Sequence, residues 1–156
     1  MLKVIGLGNI LRGDDGIGPA VIKELRSNTG KWPLKLYDVG SDAFSILEHL
    51  VASEPVLIVD CAKMGKAPGS VKKIVVNNDS LEYIDRMISL HGVGFAEVFQ
   101  MAMAIGVESA CTLVGVEPKA IEFNTGLSNE IRSAIPKIIN LVGEEATKYA
   151  EKNLNH

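Results

Sequence analysis

The segment EPVLIVDCA, residues 54–62, constrains the fold of this chain more than any other feature. It is apolar without interruption from Val56 to Val59, whereas a strand with one face in water alternates apolar and polar residues. An uninterrupted apolar strand is typical of a parallel sheet covered by helices on both faces. The segment therefore predicts an α/β fold with this strand inside the sheet.

Strand-like and helix-like segments alternate along the rest of the chain. Further strands are predicted at residues 4–6, 34–40, 70–78 (a candidate edge strand) and 111–118. Helices are predicted at 14–28, 41–53, 92–106 and from Ser128 to about Lys152, the last interrupted or kinked near Pro136. This order favours a three-layer sandwich with a mostly parallel central sheet. The 156 residues, without repeat or linker, predict a single domain spanning 1–156.

Composition and charge narrow the classes of function. Apolar residues make up 47% and charged residues 22%, which is typical of a soluble globular domain. The net charge is -3 and no basic stripe is present, so neither nucleic acid nor a membrane is expected as a partner. No signal peptide or membrane-spanning run is recognisable, and the two cysteines have no CxxC spacing. These features predict a cytoplasmic protein with reduced thiols.

The loop GLGNILRG after the first strand partly matches a phosphate-binding loop. Gly6 and Gly8 fit the first two glycines of the dinucleotide-binding pattern G-x-G-x-x-G, but Leu11 stands at the third position. Asp38 ends the second strand, where a ribose-binding acid would lie. A nucleotide-binding α/β enzyme is therefore one alternative for the function.

Two adjacent carboxylates, Asp14 and Asp15, follow this loop at the start of the first helix. They would repel a pyrophosphate, which the positive end of a helix attracts. One interpretation is that they cap the helix, which typically contributes about 1 kcal/mol. The other is that one of them caps while the other faces the crevice at the carboxyl ends of the strands, where open parallel sheets bind ligands.

Asp60 and His91 are candidates for the same crevice. Asp60 ends the apolar strand, where a carboxylate is costly to bury unless it is hydrogen-bonded or bound to a cation. His91 lies just before the helix at 92–106. Two carboxylates, from Asp15 and Asp60, with one imidazole suit a borderline divalent metal such as nickel or zinc.

The other candidate nucleophiles and histidines are weaker. Cys61 with His91 would form a thiol hydrolase pair, but a cysteine after a buried strand, like Cys111, is usually a small core side chain. His49 is expected on a helix surface, and His156 is the last residue. Neither G-x-S-x-G nor H-E-x-x-H occurs, so those hydrolase motifs are absent.

Three segments together resemble the hydrogenase maturation endopeptidases, namely GLGNILRGDDGIGPAVIKEL, VLIVDCAKMG and SLHGVGFAEVF. TLVGVEP and GLSNEI extend the resemblance over most of the chain. That family removes the C-terminal extension of the [NiFe]-hydrogenase large-subunit precursor after nickel insertion. The resemblance implies a hydrolase, an endopeptidase of aspartic-like or metal-assisted type, whose partner is that precursor. We expect it to act as a monomer.

The resemblance also implies roles for individual residues. The metal-contacting acid of the family falls on Asp15, its second acid on Asp60 and its histidine on His91. These residues would contact nickel held by the substrate's own cysteine thiolates, so no permanent cofactor is expected. The reaction would be attack by water with Asp15 or Asp60 as base. A non-catalytic nickel-sensing chaperone of the precursor is a further alternative.

One segment departs from the family pattern. DVGSDAF stands where the family commonly has Asp or Gly followed by Gly-Gly-Thr. Asp38, Gly40 and Ser41 keep the polar character of that loop. They are predicted to contact the substrate peptide.

Overall fold

Strands and helices alternate along the chain in the computed structural model, as the sequence predicts. The structure describes residues 1–28, 30–42, 44–50, 53–88, 94–107, 110–124 and 126–155. The strands are β1 (Leu2–Leu7), β2 (Leu34–Gly40), β3 (Val56–Cys61), β4 (Val71–Val75) and β5 (Cys111–Val116). The α-helices are α1 (Ile17–Ser27), α2 (Phe44–Leu50), α3 (Leu81–Met87), α4 (Phe95–Ala104) and α5 (Asn129–Leu154). Within these residues, no helix is both long and apolar enough to cross a membrane.

The strands of the described residues form one sheet in the order β2-β1-β3-β5-β4. All neighbours are parallel except β4, which runs antiparallel to β5 at one edge and confirms the predicted edge strand. Because β2 and β3 lie on opposite sides of β1, the direction of winding reverses between β1 and β3. A reversal of this kind opens a crevice at the carboxyl ends of the two strands.

Two helical layers cover the sheet. On one face, α1 and α5 pack against alternate strand residues such as Val4 and Leu57. On the other face, α2, α3 and α4 pack against the intervening residues such as Ile5 and Ile58. Every residue of β1, β3 and β5 is buried, because successive side chains of a strand point to opposite faces. The predicted α/β sandwich with a mostly parallel sheet is confirmed.

Gly18, in the first turn of α1, allows this helix to approach the sheet closely. A Cβ atom at Gly18 would collide with the carbonyl oxygen of Leu7 and lie 2.7 Å from that of Val59. Any larger residue would therefore push α1 away from β1 and β3. Since Asp15 lies about one turn before Gly18, this contact fixes Asp15 over the carboxyl ends of both strands.

Three helices differ from the sequence predictions. A 3-10 turn occupies Gly13–Gly16, so α1 begins later than predicted. α5 continues through Pro136, so the predicted interruption is wrong, whereas the alternative of a kink stays a prediction. Pro136 lies on the exposed face of α5, where water can satisfy the carbonyl group that loses its amide partner. α3 was not predicted, because its apolar residues Leu81, Ile84 and Met87 span too few turns for a periodic signal.

His49 is a core residue, and the expectation that it lies on a helix surface is wrong. It is 8% exposed, and its ring packs against that of Tyr37 of β2, with the ring centroids 4.2 Å apart and the ring planes tilted by 39°. Burial lowers the pKa of the imidazole, although the nearby Glu48 carboxylate raises it in part. The helical periodicity of α2 could not distinguish its inward from its outward face at this position.

Candidate active site

The segments that contain Asp15 and Asp60 approach each other at Gly8, in the crevice between β1 and β3. A Cβ atom at Gly8 would collide with the carbonyl oxygen of Asp15 and lie 3.6 Å from Asp60 Oδ1. Gly8 also has a φ of +125°, a backbone conformation that favours glycine. Glycine at this position therefore allows the two acidic segments to approach each other. The structure thus brings together two of the three residues that the sequence singles out.

Asp60 is a buried carboxylate with an unfavourable electrostatic environment. It is 1% exposed, and its Oδ1 accepts a hydrogen bond from the Cys61 amide at 2.8 Å. Burial raises the pKa of Asp60 well above its ordinary value, the negative charge of Asp15 raises it further, and the Cys61 amide lowers it only in part. Asp60 therefore holds a proton more readily than an ordinary aspartic acid, and a bound cation would stabilise its charged form.

Asp15 closes the loop that follows β1. It is 5% exposed, and its Oδ2 accepts a hydrogen bond from the Asn9 amide at 2.9 Å. The Asn9 side chain in turn accepts a hydrogen bond from the Leu11 amide at 2.9 Å, an Asx turn that shapes the loop. The loop thus directs an amide toward the carboxylate of Asp15, whereas a nucleotide-binding loop directs its amides toward a phosphate.

The neighbouring Asp14 has a different role from the one predicted. It is 1% exposed and accepts hydrogen bonds from the amides of Lys119, Ala120 and Ser128 at 2.8, 3.0 and 2.7 Å. The Ser128 hydroxyl donates a fourth at 2.9 Å. Burial raises the pKa of Asp14, but these hydrogen bonds more than compensate and lower it.

The prediction that Asp14 or Asp15 caps the first helix is wrong. Neither side chain accepts a capping hydrogen bond from α1 or from the turn before it. Both residues lie inside the turn at Gly13–Gly16, before α1 begins at Ile17. Their side chains therefore contact other segments instead of the first amides of α1. Asp14 anchors the loop between β5 and α5, where Ser128 is the N-cap residue of α5. No local pattern could reveal this contact, since its partners lie more than a hundred residues away.

His91, the third predicted ligand, lies outside the described residues. Among the residues that the structure does describe, no group of three or more His, Cys, Asp or Glu side chains could hold a metal ion. Asp15 and Asp60 offer two carboxylates, so a metal ion shared between them would need further ligands from His91 or from a substrate. The metal site with Asp15, Asp60 and His91 stays a prediction.

Both cysteines are core residues, as predicted. Cys61 is 4% exposed and Cys111 is 3% exposed. Burial raises the pKa of both thiols, that of Cys111 to about 12, and the charges of Asp60 and Asp15 raise that of Cys61 further. A thiol that stays protonated is a poor nucleophile, which disfavours the thiol hydrolase alternative.

Asp38, Gly40 and Ser41 line a groove beside the two carboxylates. The groove has a volume of about 430 Å³ and is also lined by Gly8 and Ile10. The Gly8 amide donates a hydrogen bond to the Gly40 carbonyl oxygen at 2.9 Å, so the groove begins at the same point as the site. The groove is therefore positioned to hold a peptide, and the predicted contact of these three residues with substrate stays a prediction.

Glu117 is a buried carboxylate that the sequence did not single out. It is 6% exposed, and its Oε1 accepts hydrogen bonds from the amides of Met64 and Lys66 at 2.9 and 2.6 Å. These bonds fix the loop that follows Asp60. Glu117 comes directly after the buried strand β5, and Asp60 is the second-last residue of β3, so a position at a strand end was a usable signal for both.

The chain is similar in sequence and in structure to known hydrogenase maturation proteins. A family model described as hydrogenase maturation protease, HycI, matches residues 19–145. The hydrogenase expression/formation protein HupM of Azotobacter chroococcum is 29% identical over 140 residues, which are 86% of this chain but only 66% of that relative.

Solved structures give the same result. The hydrogenase maturating endopeptidase HybD from E. coli superposes with a TM-score of 0.77 at 25% identity, over 90% of this chain and 88% of that one. The hydrogenase 2 maturation peptidase from a Thaumarchaeota archaeon superposes with a TM-score of 0.69 at 28% identity, over 92% and 96% of the two chains. Because the family model covers most of this chain, the chain belongs to the hydrogenase maturation protease family.

Proposed function

We propose that this protein is an endopeptidase that removes the C-terminal extension of a [NiFe]-hydrogenase large-subunit precursor after nickel insertion. The observation that carries the proposal is the pair of acids, Asp15 and Asp60, whose segments approach each other at Gly8 and whose charges interact. Membership of the hydrogenase maturation protease family supports the class of reaction. The groove lined by Asp38, Gly40 and Ser41 supports a peptide as the substrate.

Nickel enters this scheme as part of the substrate. The precursor's cysteine thiolates hold the ion, and Asp15, Asp60 and His91 contact it from the side of the protease. Carboxylate oxygens and an imidazole are ligands that a borderline divalent ion accepts. Nickel thereby marks a correctly filled precursor, and the protease needs no cofactor of its own.

The unequal surroundings of the two carboxylates suit hydrolysis by water. Asp60 is buried beside the negative charge of Asp15, which favours a proton on Asp60. When the loaded precursor binds, its nickel ion displaces that proton to solvent and stabilises the charged form of Asp60. Asp15 then acts as the general base, which accepts a proton from the attacking water and passes it to the departing amine.

Incubation with precursor, followed by intact-mass measurement, tests the proposal. The nickel-loaded precursor should become shorter, and the nickel-free precursor should not. Asp15→Asn and Asp60→Asn should leave the loaded precursor intact while keeping a native circular dichroism spectrum. The exposed Asp79 provides the matched control, and Asp79→Asn should cleave normally.

Two outcomes would contradict the proposal in different ways. Cleavage by both Asp15→Asn and Asp60→Asn would show that the pair is not the reactive site. Stable binding of the loaded precursor without cleavage by the unmodified protein would instead indicate a nickel-sensing chaperone.

A further inference from the structure

A second groove extends from the candidate active site along α1. Its volume is about 640 Å³, and it shares Ile10, Pro19 and Asp38 with the smaller groove beside Gly8. One wall is a stripe of α1 and the turn before it, formed by Gly16, Pro19, Ala20, Lys23, Arg26 and Ser27. These residues recur at a helical spacing of three or four, so they lie on one face of α1. The two grooves thus form one channel that passes Gly8, which lies against Asp15, and Gly16, which follows Asp15 in the chain.

Along α1, the residues that line the groove are small near the candidate active site and positively charged farther from it. Gly16, Pro19 and Ala20 are small and leave room near the carboxylates, whereas Lys23 and Arg26 place two positive charges at the far end. Neither cation forms a salt bridge with another described residue, and both side chains are exposed, so a molecule bound in the groove can reach them.

The remaining lining residues of the groove favour a peptide. Ile10 is 67% exposed and Leu127 is partly buried, so the groove offers apolar surface. Asp38 lies toward the opposite end from the cations, beside Gly40. The groove is therefore apolar in the middle and positive at its far end, which is complementary to a peptide with a negative side chain there.

The geometry of α1 sets the distance between the cleaved bond and that side chain. A helix rises about 1.5 Å per residue, so Lys23 and Arg26 lie about 10 and 15 Å along α1 from Gly16. An extended peptide covers about 3.3 Å per residue. A residue about three to five positions from a bond held at Asp15 would therefore lie beside these cations.

We propose that this groove binds an extended segment of the precursor with an acidic side chain about three to five residues from the cleaved bond. This inference rests on the proposed function. Lys23 and Arg26 recognise that side chain, and the small residues Gly16, Pro19 and Ala20 admit the peptide backbone. The groove thus selects among precursors by their sequence, whereas Asp15 and Asp60 take part in hydrolysis of the peptide bond.

Binding of short peptides tests the groove without requiring cleavage. Calorimetry would use ten-residue peptides of Gly, Ala and Val, blocked at both ends, with one Glu or one Gln scanned along the chain. Glu peptides should bind about fivefold more tightly than their Gln counterparts. The double variant Lys23→Gln/Arg26→Gln should lose this preference. The matched control Lys137→Gln/Lys148→Gln, which removes two exposed charges from α5, should keep it.

Three binding results would overturn the proposal. The first is equal affinity for Glu and Gln peptides, and the second is no binding of any peptide at millimolar concentration. The third is tighter binding of an additional peptide that lacks Glu but has a free C-terminal carboxylate than of any blocked Glu peptide, which would make the chain end the occupant.

Cleavage of the loaded precursor separates this proposal from the proposed function. Lys23→Gln/Arg26→Gln should raise KM about fivefold and leave kcat nearly unchanged, because both residues bind substrate away from the reacting bond. Equal KM values for the variant and the unmodified protein would overturn the groove and leave the proposed function standing. Selective binding of Glu peptides by a protein that cleaves no precursor would support the groove and contradict the proposed function.

Discussion

Asp14 and Asp60 each have only 1% of their surface exposed, yet their surroundings shift their pKa values in opposite directions. Four hydrogen bonds from Lys119, Ala120 and Ser128 stabilise the charge of Asp14. Asp60 has the Cys61 amide as its hydrogen-bond donor and the negative charge of Asp15 beside it. Burial alone therefore does not reveal what a carboxylate does, because the donors around it decide whether its charge stabilises the fold.

The difference follows from where each side chain lies in the fold. Asp14 faces the loop before α5, whose backbone amides need acceptors, so its carboxylate completes a structural network. Asp60 lies near the end of β3 at the crevice, where a substrate rather than the protein can supply compensating charge. Proteins commonly keep such unfavourable charges where function requires them.

The largest expected effect is the loss of processing in Asp60→Asn. Its rate should fall by at least about 100-fold, because a neutral amide cannot replace the charged carboxylate that contacts nickel. The free energy of unfolding should rise by about 0.5–2 kcal/mol, since Asn requires neither protonation nor a buried charge at this position. Precursor shortening and urea unfolding on the same sample measure both. A variant that is inactive and also less stable would contradict the comparison with Asp14.

Asp14→Asn should have the opposite profile. Its amide cannot accept all four hydrogen bonds, and buried donors left without acceptors lower the free energy of unfolding by about 2–4 kcal/mol. The melting temperature should fall by about 5–15 °C, while the folded protein still processes precursor. Calorimetry of this variant beside the exposed control Asp79→Asn measures the change. An unchanged melting temperature would mean that the Asp14 network contributes nothing to stability.

The pH dependence of stability sharpens the comparison further. The pKa of Asp14 is lower in the folded than in the unfolded state, so its contribution is full above the ordinary value of 3.8 and is lost as the pH falls through the folded value. The pKa of Asp60 is higher in the folded state, so its effect has the opposite sign and stability falls as the pH rises above 3.8.

The stability difference between each Asn variant and the unmodified protein should therefore change with pH in opposite senses. Asp14→Asn should become relatively less stable as the pH rises through its window, and Asp60→Asn relatively more stable. Urea titrations across a pH series measure both differences. Parallel pH trends for the two variants would refute the assigned pKa directions.

The smallest effect is expected for Cys61→Ala. The backbone amide of Cys61 donates a hydrogen bond to Asp60, whereas burial raises the pKa of the Cys61 thiol and keeps it protonated. Processing should stay within about twofold of the unmodified rate, with about 1 kcal/mol lost in unfolding free energy from the small cavity. Loss of processing with an intact fold would revive the thiol hydrolase alternative.

Much of the fold was predictable because it depends on short-range patterns. The apolar run that became β3 and the helical spacing in α1 each report burial directly. Errors arose where local pattern and tertiary packing diverge. Pro136 is tolerated because its side of α5 faces water, and His49 is buried because α2 turns it toward Tyr37.

The candidate site was predictable in part. The position of Asp60 at a strand end and of Asp15 after a glycine loop was visible in the chain, and parallel topology implied that they meet. The shifted pKa of Asp60 was not visible, because it depends on burial and on the distance to Asp15.

The sequence by itself determined the layered α/β architecture and which acids stand at the ends of the strands, because apolar periodicity is a property of neighbouring residues. Only the tertiary structure decided that Asp14 anchors α5 and that Asp60 is the carboxyl group with the raised pKa. It also decided that Lys23 and Arg26 line a groove along α1. Each of these properties arises from contacts between segments that are distant in the chain and adjacent only after folding.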